Sequence, residues 1–231
     1  LLDKLIQLRH GELGALDFFN NCQITDATRR ANAVIITPFR AVAERINADR
    51  LAQINAPVVS YTGVLSGTFS ERDVPAPMNL TLKVGALVVF VKNSDKWHNG
   101  SMGIVQNLTA REITVQLLNK DHDIVTVRPD KWEKIEYTRD ENDRVIENEV
   151  GSFKQFPLNL GYAMTIHKAQ GKTLDAVVVD ISRGAFAHGQ TYVALSRTRS
   201  AADMHIATPL RPRDVIFDSR VLSFVDANQP S

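Results

Sequence analysis

Cysteine and long hydrophobic runs are nearly missing from this sequence of 231 residues. The single cysteine, Cys22, cannot form a disulfide within the chain, which favours a reducing, cytoplasmic setting. No apolar run approaches the roughly 20 residues that cross a bilayer, so we expect no membrane partner. The chain opens at Leu1 rather than Met and has no charged-then-apolar leader, so we expect an unexported piece of a longer protein.

An excess of charge of one sign is also lacking. Lys and Arg number 27 against 26 for Asp and Glu, which gives a net charge of +1. This balance excludes the strongly basic class of nucleic-acid binders, so any contact with nucleic acid must come from a local arrangement. The six histidines are scattered without zinc-binding spacing, so we expect no metal site. The remaining composition, with 44% hydrophobic residues, is typical of one large globular domain or two modest ones.

Alternating strands and helices mark both ends of the chain. Residues 33–36 are apolar and mostly β-branched and end at Thr37-Pro38, and residues 39–51 then follow a helical pattern. A strand, a tight turn and a helix make an α/β unit. The same character returns after Phe153. There the sequence predicts helices over 158–170, 191–199 and 215–225 and strands over 177–180 and 204–207.

The middle of the chain has a different pattern. From about residue 80 to 137 the helical period disappears, and short strand-like runs alternate with turn residues, which predicts a small antiparallel barrel. The sequence therefore predicts an α/β fold in which a barrel is inserted into a discontinuous domain. The expected parts are an N-terminal helical segment (1–23), the discontinuous domain (24–78 and 151–231) and the barrel (79–150).

One tripeptide imitates a phosphate-binding loop. Gly171-Lys172-Thr173 would need a glycine five positions before Gly171, but that position is Ile166. A phosphate-binding loop also follows a strand and opens a helix, whereas this tripeptide follows a predicted helix and precedes a strand. The sequence therefore excludes a nucleotide hydrolase that is complete in this chain.

Three longer strings carry a more specific signal. Residues 161–173, GYAMTIHKAQGKT, resemble motif V of superfamily 1 helicases, and residues 189–199, GQTYVALSRTR, resemble motif VI. Upstream, residues 34–40, VIITPFR, together with Asn47 resemble motif IV. The order and spacing fit the RecD-like and PIF-family branch of these DNA helicases. Residues 82–93, LKVGALVVFVKN, are similar to the accessory barrel of that branch, which is of the Src-homology-three type.

The resemblance implies a second RecA-like domain over 24–78 and 151–231. Its partner would be the N-terminal RecA-like domain of the same full-length protein, which holds most of the ATP and Mg²⁺ contacts. The phosphate-binding loop, acidic metal site and switch motif of that domain are absent here, so this chain alone should not hydrolyse ATP. The resemblance also implies 5′→3′ movement and work in DNA repair and recombination.

The resemblance assigns roles to individual residues as well. Arg197 matches the arginine finger, which neutralises charge growing on the γ-phosphate. The residues that the resemblance places at the nucleotide are Gln170, Gly171 and Arg197. The residues that it places on single-stranded DNA, through phosphates and sugars, are Thr37, Arg40, Thr165, His167 and Lys168.

Other interpretations of these residues stay open. Thr37 could merely cap the following helix, Arg40 and Lys168 could be solvated surface charges, and Arg197 could be a structural ion-pair partner. Two other functions also stay open for the chain. It could be a non-catalytic nucleic-acid-binding module that kept the helicase scaffold, in which case Arg197 is dispensable. It could instead be a subunit that completes an ATPase site in trans on a separate polypeptide.

Overall fold

The computed structural model of the chain describes residues 1–119, 121–139 and 143–216. Its helices are α1 (Leu2–Arg9), α2 (Ala15–Asn20), α3 (Ala27–Ala31), α4 (Arg40–Ala52), α5 (Ile166–Ala169) and α6 (Gln190–Leu195). Its strands are β1 (Val34–Thr37), β2 (Val59–Thr62), β3 (Val64–Gly67), β4 (Asn79–Leu82), β5 (Leu87–Phe90), β6 (Met102–Leu108), β7 (Ile113–Leu117), β8 (Ile124–Val127), β9 (Asp130–Arg139), β10 (Val145–Gln155), β11 (Leu158–Leu160), β12 (Ala163–Thr165), β13 (Val177–Val179) and β14 (Met204–Ile206). The fold is α/β, as the sequence predicts.

The chain forms two compact units, and the first combines residues 1–50 with the part that follows Leu160. Its centre is a four-stranded parallel sheet in the order β12-β1-β13-β14. Short β-branched runs such as Val34–Thr37 suit a parallel sheet that is covered on a face. Along β13, Val177 and Val179 are fully buried, whereas Val178 between them is partly exposed. The helices α2 and α5 pack against β14 and β1.

The second unit, residues 51–160, is built from antiparallel strands. Five of them form a sheet in the order β11-β5-β6-β7-β8, and Phe90, Val115 and Phe156 lie in its buried core. Trp97 packs on Phe90 with ring centroids 4.6 Å apart, and its indole N–H donates to the carbonyl of Lys92 at 3.1 Å. The described residues thus form an antiparallel sheet, and closure of this sheet into a barrel stays a prediction.

Two smaller sheets complete this unit. β2 pairs with β4, and β10 pairs with both β3 and β9. The expected domain boundaries at 78/79 and 150/151 stay a prediction, while the compact units change over at 50/51 and 160/161. The closing helix predicted over 215–225 lies, from residue 217 onward, outside the described residues. In the part of the chain that the structure describes, no helix is long and apolar enough to cross a membrane.

The helix predicted over 158–170 is wrong for most of its length. Leu158–Leu160 pairs with β5, Ala163–Thr165 pairs with β1, and only Ile166–Ala169 is helical. Gly161 separates two short runs, and each run finds its hydrogen-bonding partner in a distant part of the sequence. The spacing of apolar residues along the sequence does not reveal pairing with distant strands. The spacing therefore predicts a helix for this apolar run. The helix predicted over 191–199 likewise ends early, at Leu195.

Candidate nucleic-acid and nucleotide interface

Two threonines meet at the carboxyl edge of the parallel sheet. Thr37 is the last residue of β1, Thr165 is the last residue of β12, and the two are direct partners in the register of these strands. Ligands of open α/β sheets bind outside the carboxyl ends of the strands. Thr37 is 2% exposed, whereas Thr165 is partly exposed and lies closer to the surface.

Thr165 begins the short helix α5. Its hydroxyl oxygen accepts a hydrogen bond from the backbone N–H of Lys168 at 3.3 Å, which caps the helix. Ile166 and Ala169 are buried and anchor α5, so the adjacent His167 and Lys168 are left exposed at the surface. The sequence placed Thr165 and His167 near the end of a helix. They lie instead at a strand-to-helix junction, where backbone N–H groups also point outward.

Two cations lie close together at the same edge. The Nε of Arg40, at the start of α4, donates to Glu44 Oε1 at 2.6 Å, and the Arg40 side chain is 82% exposed. Partial burial lowers the pKa of Lys168, the positive charge of Arg40 lowers it further, and Glu44 opposes both effects. Arg40 follows Thr37 by three residues, and Lys168 follows Thr165, the register partner of Thr37, by three residues, so both cations lie near the same strand ends. Thr37, Arg40, Thr165, His167 and Lys168 therefore form one group, which we call the strand-end cluster.

Asn47 supports this group by binding the backbone of β12, the strand that ends at Thr165. Its amide N–H donates to the carbonyl of Ala163 at 2.8 Å, and its amide oxygen accepts from the N–H of Ala163 at 2.9 Å. Both backbone groups of Ala163, near the start of motif V, are thus satisfied by one side chain from α4. The sequence included Asn47 in motif IV, but it offered no sign that its partner would be Ala163. This is a positioning residue that sequence reasoning missed.

Arg197 lies beyond the end of α6, and its guanidinium is hydrogen-bonded within the chain. Nε donates to the carbonyl of Val193 at 2.6 Å, Nη1 to the carbonyls of Ala169 and Lys172 at 3.3 and 3.2 Å, and Nη2 to Ser196 Oγ at 2.5 Å. Partial burial lowers the pKa of Arg197, an effect that Tyr192 opposes. The side chain therefore ties the segment after α5 to the segment after α6.

Gln170 and Gly171 belong to the segment that Arg197 holds. Both are exposed, and Gly171 has a positive φ of 75° with no atom within 4 Å of where a Cβ would lie. The backbone here turns through a left-handed conformation that favours glycine, and its surface is open. Gln170, Gly171 and Arg197 therefore lie together as a second group, which we call the loop group.

The helix α5 joins the two groups. It begins at the strand-end cluster with Thr165 as its cap and ends at Ala169, whose carbonyl accepts from Arg197. At 1.5 Å per residue its four residues span only about 6 Å. A displacement at one group would therefore reach the other through a single turn of helix.

Arg199 has different surroundings. It is exposed, and its charge lowers the pKa of the Asp175 carboxyl, which burial raises. Arg197 and Arg199 both lie after α6, and they differ in burial and in neighbours. No three His, Cys, Asp or Glu side chains come together as a metal-binding set within residues 1–119, 121–139 and 143–216.

Comparisons with known proteins agree on one family. No family model matches the chain. The ATP-dependent DNA helicase Pif1 of Bdellovibrio bacteriovorus is 34% identical over 96% of this chain and 50% of its own length. A crystal structure of Bacteroides sp Pif1 in complex with ADP-AlF4 is 29% identical, with a TM-score of 0.84 over 98% of this chain and 53% of that chain. A structure of Bacteroides Pif1 bound to ssDNA is 30% identical, with a TM-score of 0.68 over the same shares.

The sheets match the C-terminal part of a DNA helicase of known structure. The chain spans about half the length, or less, of the curated relatives that it matches. It belongs to the Pif1 family of these DNA helicases and fits their C-terminal half.

Proposed function

We propose that this chain works as the C-terminal half of an ATP-dependent DNA helicase. In this role it binds single-stranded DNA and supplies Arg197 to an ATP held mainly by an N-terminal RecA-like domain. The observation that carries the proposal is the strand-end cluster, which places hydroxyl, imidazole and cationic groups on one edge of a parallel sheet. Relatives named as ATP-dependent DNA helicases, and neighbours in complex with ADP-AlF4 or bound to ssDNA, support it.

The strand-end cluster suits the backbone of DNA rather than its bases. A phosphate would reach Thr165, His167, Lys168 and Arg40, because these side chains are at least partly exposed, while the buried Thr37 holds the end of β1 beneath them. The ion pair of Arg40 with Glu44 is highly exposed and therefore weak. Arg40 can exchange it for a phosphate, whose charge-assisted hydrogen bonds are stronger. Contacts of this kind carry no sequence information.

The loop group suits the outer side of a nucleotide. Gln170 and Gly171 offer an exposed amide and an open backbone turn, and Arg197 offers a charge that can face the γ-phosphate. For a bidentate contact with the phosphate, the Arg197 guanidinium must exchange at least one hydrogen bond to a neutral group for one to an anion, which is the stronger kind. We assign Mg²⁺ and the other phosphate contacts to the N-terminal domain. Bound ATP would supply the scissile γ-phosphate, and this chain would supply charge stabilisation.

Single-stranded DNA binding can be tested through its salt dependence. We expect weak binding of this chain to labelled oligothymidine, measured by fluorescence anisotropy, with affinity falling steeply as salt rises. Each phosphate contact contributes about −0.7 to the slope of log affinity against log salt for single strands. Arg40→Ala and Lys168→Ala should each weaken binding and flatten that slope by about this amount.

Arg50→Ala is the matched control for these variants. Arg50 lies on the same helix α4, ten residues and about 15 Å from Arg40, so its removal should change neither affinity nor slope. An affinity that does not change with salt concentration, or a strong preference for one base sequence over another, would contradict the proposal.

One observation favours a second candidate function. Four hydrogen bonds fix the Arg197 guanidinium to Val193, Ala169, Lys172 and Ser196, as expected for a structural residue in a non-catalytic nucleic-acid-binding module. This alternative predicts normal DNA binding and a normal hydrolysis rate after removal of the Arg197 side chain from the longer polypeptide. The arginine-finger proposal predicts a large loss of hydrolysis, so one measurement separates the two.

A further inference from the structure

Phe186 has an aromatic side chain that is largely exposed to solvent. It lies in the loop between β13 and α6, and 61% of the residue is exposed. Single exposed apolar residues are common on protein surfaces, but an aromatic ring beside cationic groups is suited to stacking on a nucleic-acid base. The phosphate-binding groups described above make no use of this ring.

The ring has a fixed support. Its centroid lies 5.5 Å from that of Phe39, with the two planes inclined at 42°, and Phe39 is itself partly buried. Aromatic pairs prefer offset or inclined arrangements at this separation. Phe39 therefore backs one side of Phe186, and the rest of the Phe186 ring is open to solvent.

The loop that carries Phe186 is anchored. The side-chain oxygen of Gln190 accepts hydrogen bonds from the backbone N–H of Phe186 at 3.0 Å and of Ala187 at 3.3 Å. Gln190 is 9% exposed, so this anchor is buried and holds the backbone at the base of the aromatic ring. A contact surface that is already ordered loses little conformational entropy when a ligand binds.

The aromatic pair lies at the same edge of the sheet as the strand-end cluster. Phe39 stands in the chain between Thr37 and Arg40, directly after β1. The loop of Phe186 follows β13, which is the neighbour of β1 in the parallel sheet. The carboxyl ends of adjacent parallel strands meet at one edge, which places the aromatic pair beside the phosphate-binding groups.

We propose that Phe186, backed by Phe39, stacks on an unpaired base of the single-stranded DNA whose phosphates meet the strand-end cluster. This inference rests on the proposed function and adds base contact to it. Phosphate contacts alone would bind any polyanion, whereas a stacking ring selects for exposed bases. Because every base has a π-face, the contact tolerates any sequence.

The test compares two oligonucleotides with equal numbers of phosphates, oligothymidine and an abasic strand of the same length. Phe186→Ala should weaken oligothymidine binding by roughly tenfold, within the range measured for base–aromatic stacking. Its affinity for the abasic strand and its salt slope should match those of the unaltered chain, since no phosphate contact is lost. Phe186→Tyr should bind oligothymidine almost normally.

Further variants distinguish the loss of base stacking from misfolding and from the loss of apolar volume. Phe186→Leu keeps apolar volume without a π-face, and we expect it to bind as weakly as Phe186→Ala with an unchanged melting temperature. Phe186→Trp provides a direct signal, because its fluorescence should change on adding oligothymidine and not on adding the abasic strand. Leu2→Ala, at a similarly exposed residue on α1, should leave binding unaltered.

The outcomes are distinct. If the chain binds oligothymidine with the expected salt slope and Phe186→Ala binds it equally well, the stacking proposal is overturned while the proposed function stands. Loss of hydrolysis in the longer polypeptide with intact DNA binding would assign Phe186 to a contact with the N-terminal domain, and this also overturns it. If the unaltered chain binds neither oligonucleotide, the proposed function fails and the stacking proposal fails with it.

Discussion

At the scale of the residue, Arg197 is hydrogen-bonded within the chain and is also the proposed arginine finger. Its guanidinium has five N–H donors, and bonds to Val193, Ala169, Lys172 and Ser196 use most of them inside the chain. The same planar fork is suited to a phosphate that arrives with the N-terminal domain. We infer that the internal bonds hold the side chain in place until ATP is present.

The proposed arginine-finger role of Arg197 can be tested in the longer polypeptide with both RecA-like domains. Arg197→Ala should lower DNA-stimulated ATP hydrolysis by roughly 10³-fold, at the lower end of what arginine fingers contribute elsewhere. Arg197→Lys should recover little, because an ammonium is a point charge without the bidentate fork. Initial rates of phosphate release, with melting temperatures for each variant, provide the measurement.

Arg199→Ala is the control for that experiment. Arg199 is exposed and lies near Asp175, so its loss should reduce hydrolysis much less. DNA binding without nucleotide should stay normal in Arg197→Ala. Near-normal hydrolysis in Arg197→Ala would support the non-catalytic module instead.

At the scale of the element, the connection of α4 to β12 depends on one amide. Asn47 offers both a donor and an acceptor to Ala163, and a carboxylate offers acceptors only. Asn47→Asp would place a negative charge against the Ala163 carbonyl, so the pKa of the introduced carboxyl should rise. Such a group stabilises the fold below its unfolded pKa of about 3.9, and the stabilisation is lost as pH rises through the folded pKa.

The prediction is therefore a loss of stability that depends on pH. Relative to the unaltered chain at the same pH, Asn47→Asp should lose roughly 1–3 kcal/mol of unfolding free energy at pH 7. The deficit should shrink as pH is lowered toward 4, and oligothymidine affinity should follow it. Urea unfolding at several pH values checks this, and Asn47→Ala should show a deficit without such pH dependence. An equal, constant deficit in both variants would show that the amide does not work in this way.

The elements also show what the sequence could predict. The strand before Thr37 and the helix after it were predicted correctly, because a β-branched run, a proline and a helical pattern lie together in one stretch. The segment around Gly161 was not, because its structure depends on pairing with β5 and β1 far away in the chain. The same reason hides the contact of Asn47 with Ala163 and that of Phe39 with Phe186. The motif strings singled out candidate residues, while the contacts of those residues could be seen only in the fold.

At the scale of the whole molecule, we propose that the chain provides one side of a helicase motor. Among the residues that the structure describes, the sites found are a strand-end cluster and a loop group, and the sequence contains no phosphate-binding loop. We expect no ATP hydrolysis above background from this chain, with or without oligothymidine, in a preparation freed of contaminating ATPases. Turnover that persists through further purification and scales with chain concentration would refute the assignment to a C-terminal half.

The amide of Asn47 has a consequence for solubility as well. β12 is an outer strand of the parallel sheet, and an outer strand with free N–H and C=O groups is a template on which another chain can add a strand. At Ala163, the first residue of this three-residue strand, Asn47 occupies both groups with a side chain rather than a backbone. At this residue the sheet thus ends against its own helix, which blocks the addition of another strand there and the aggregation that begins with it.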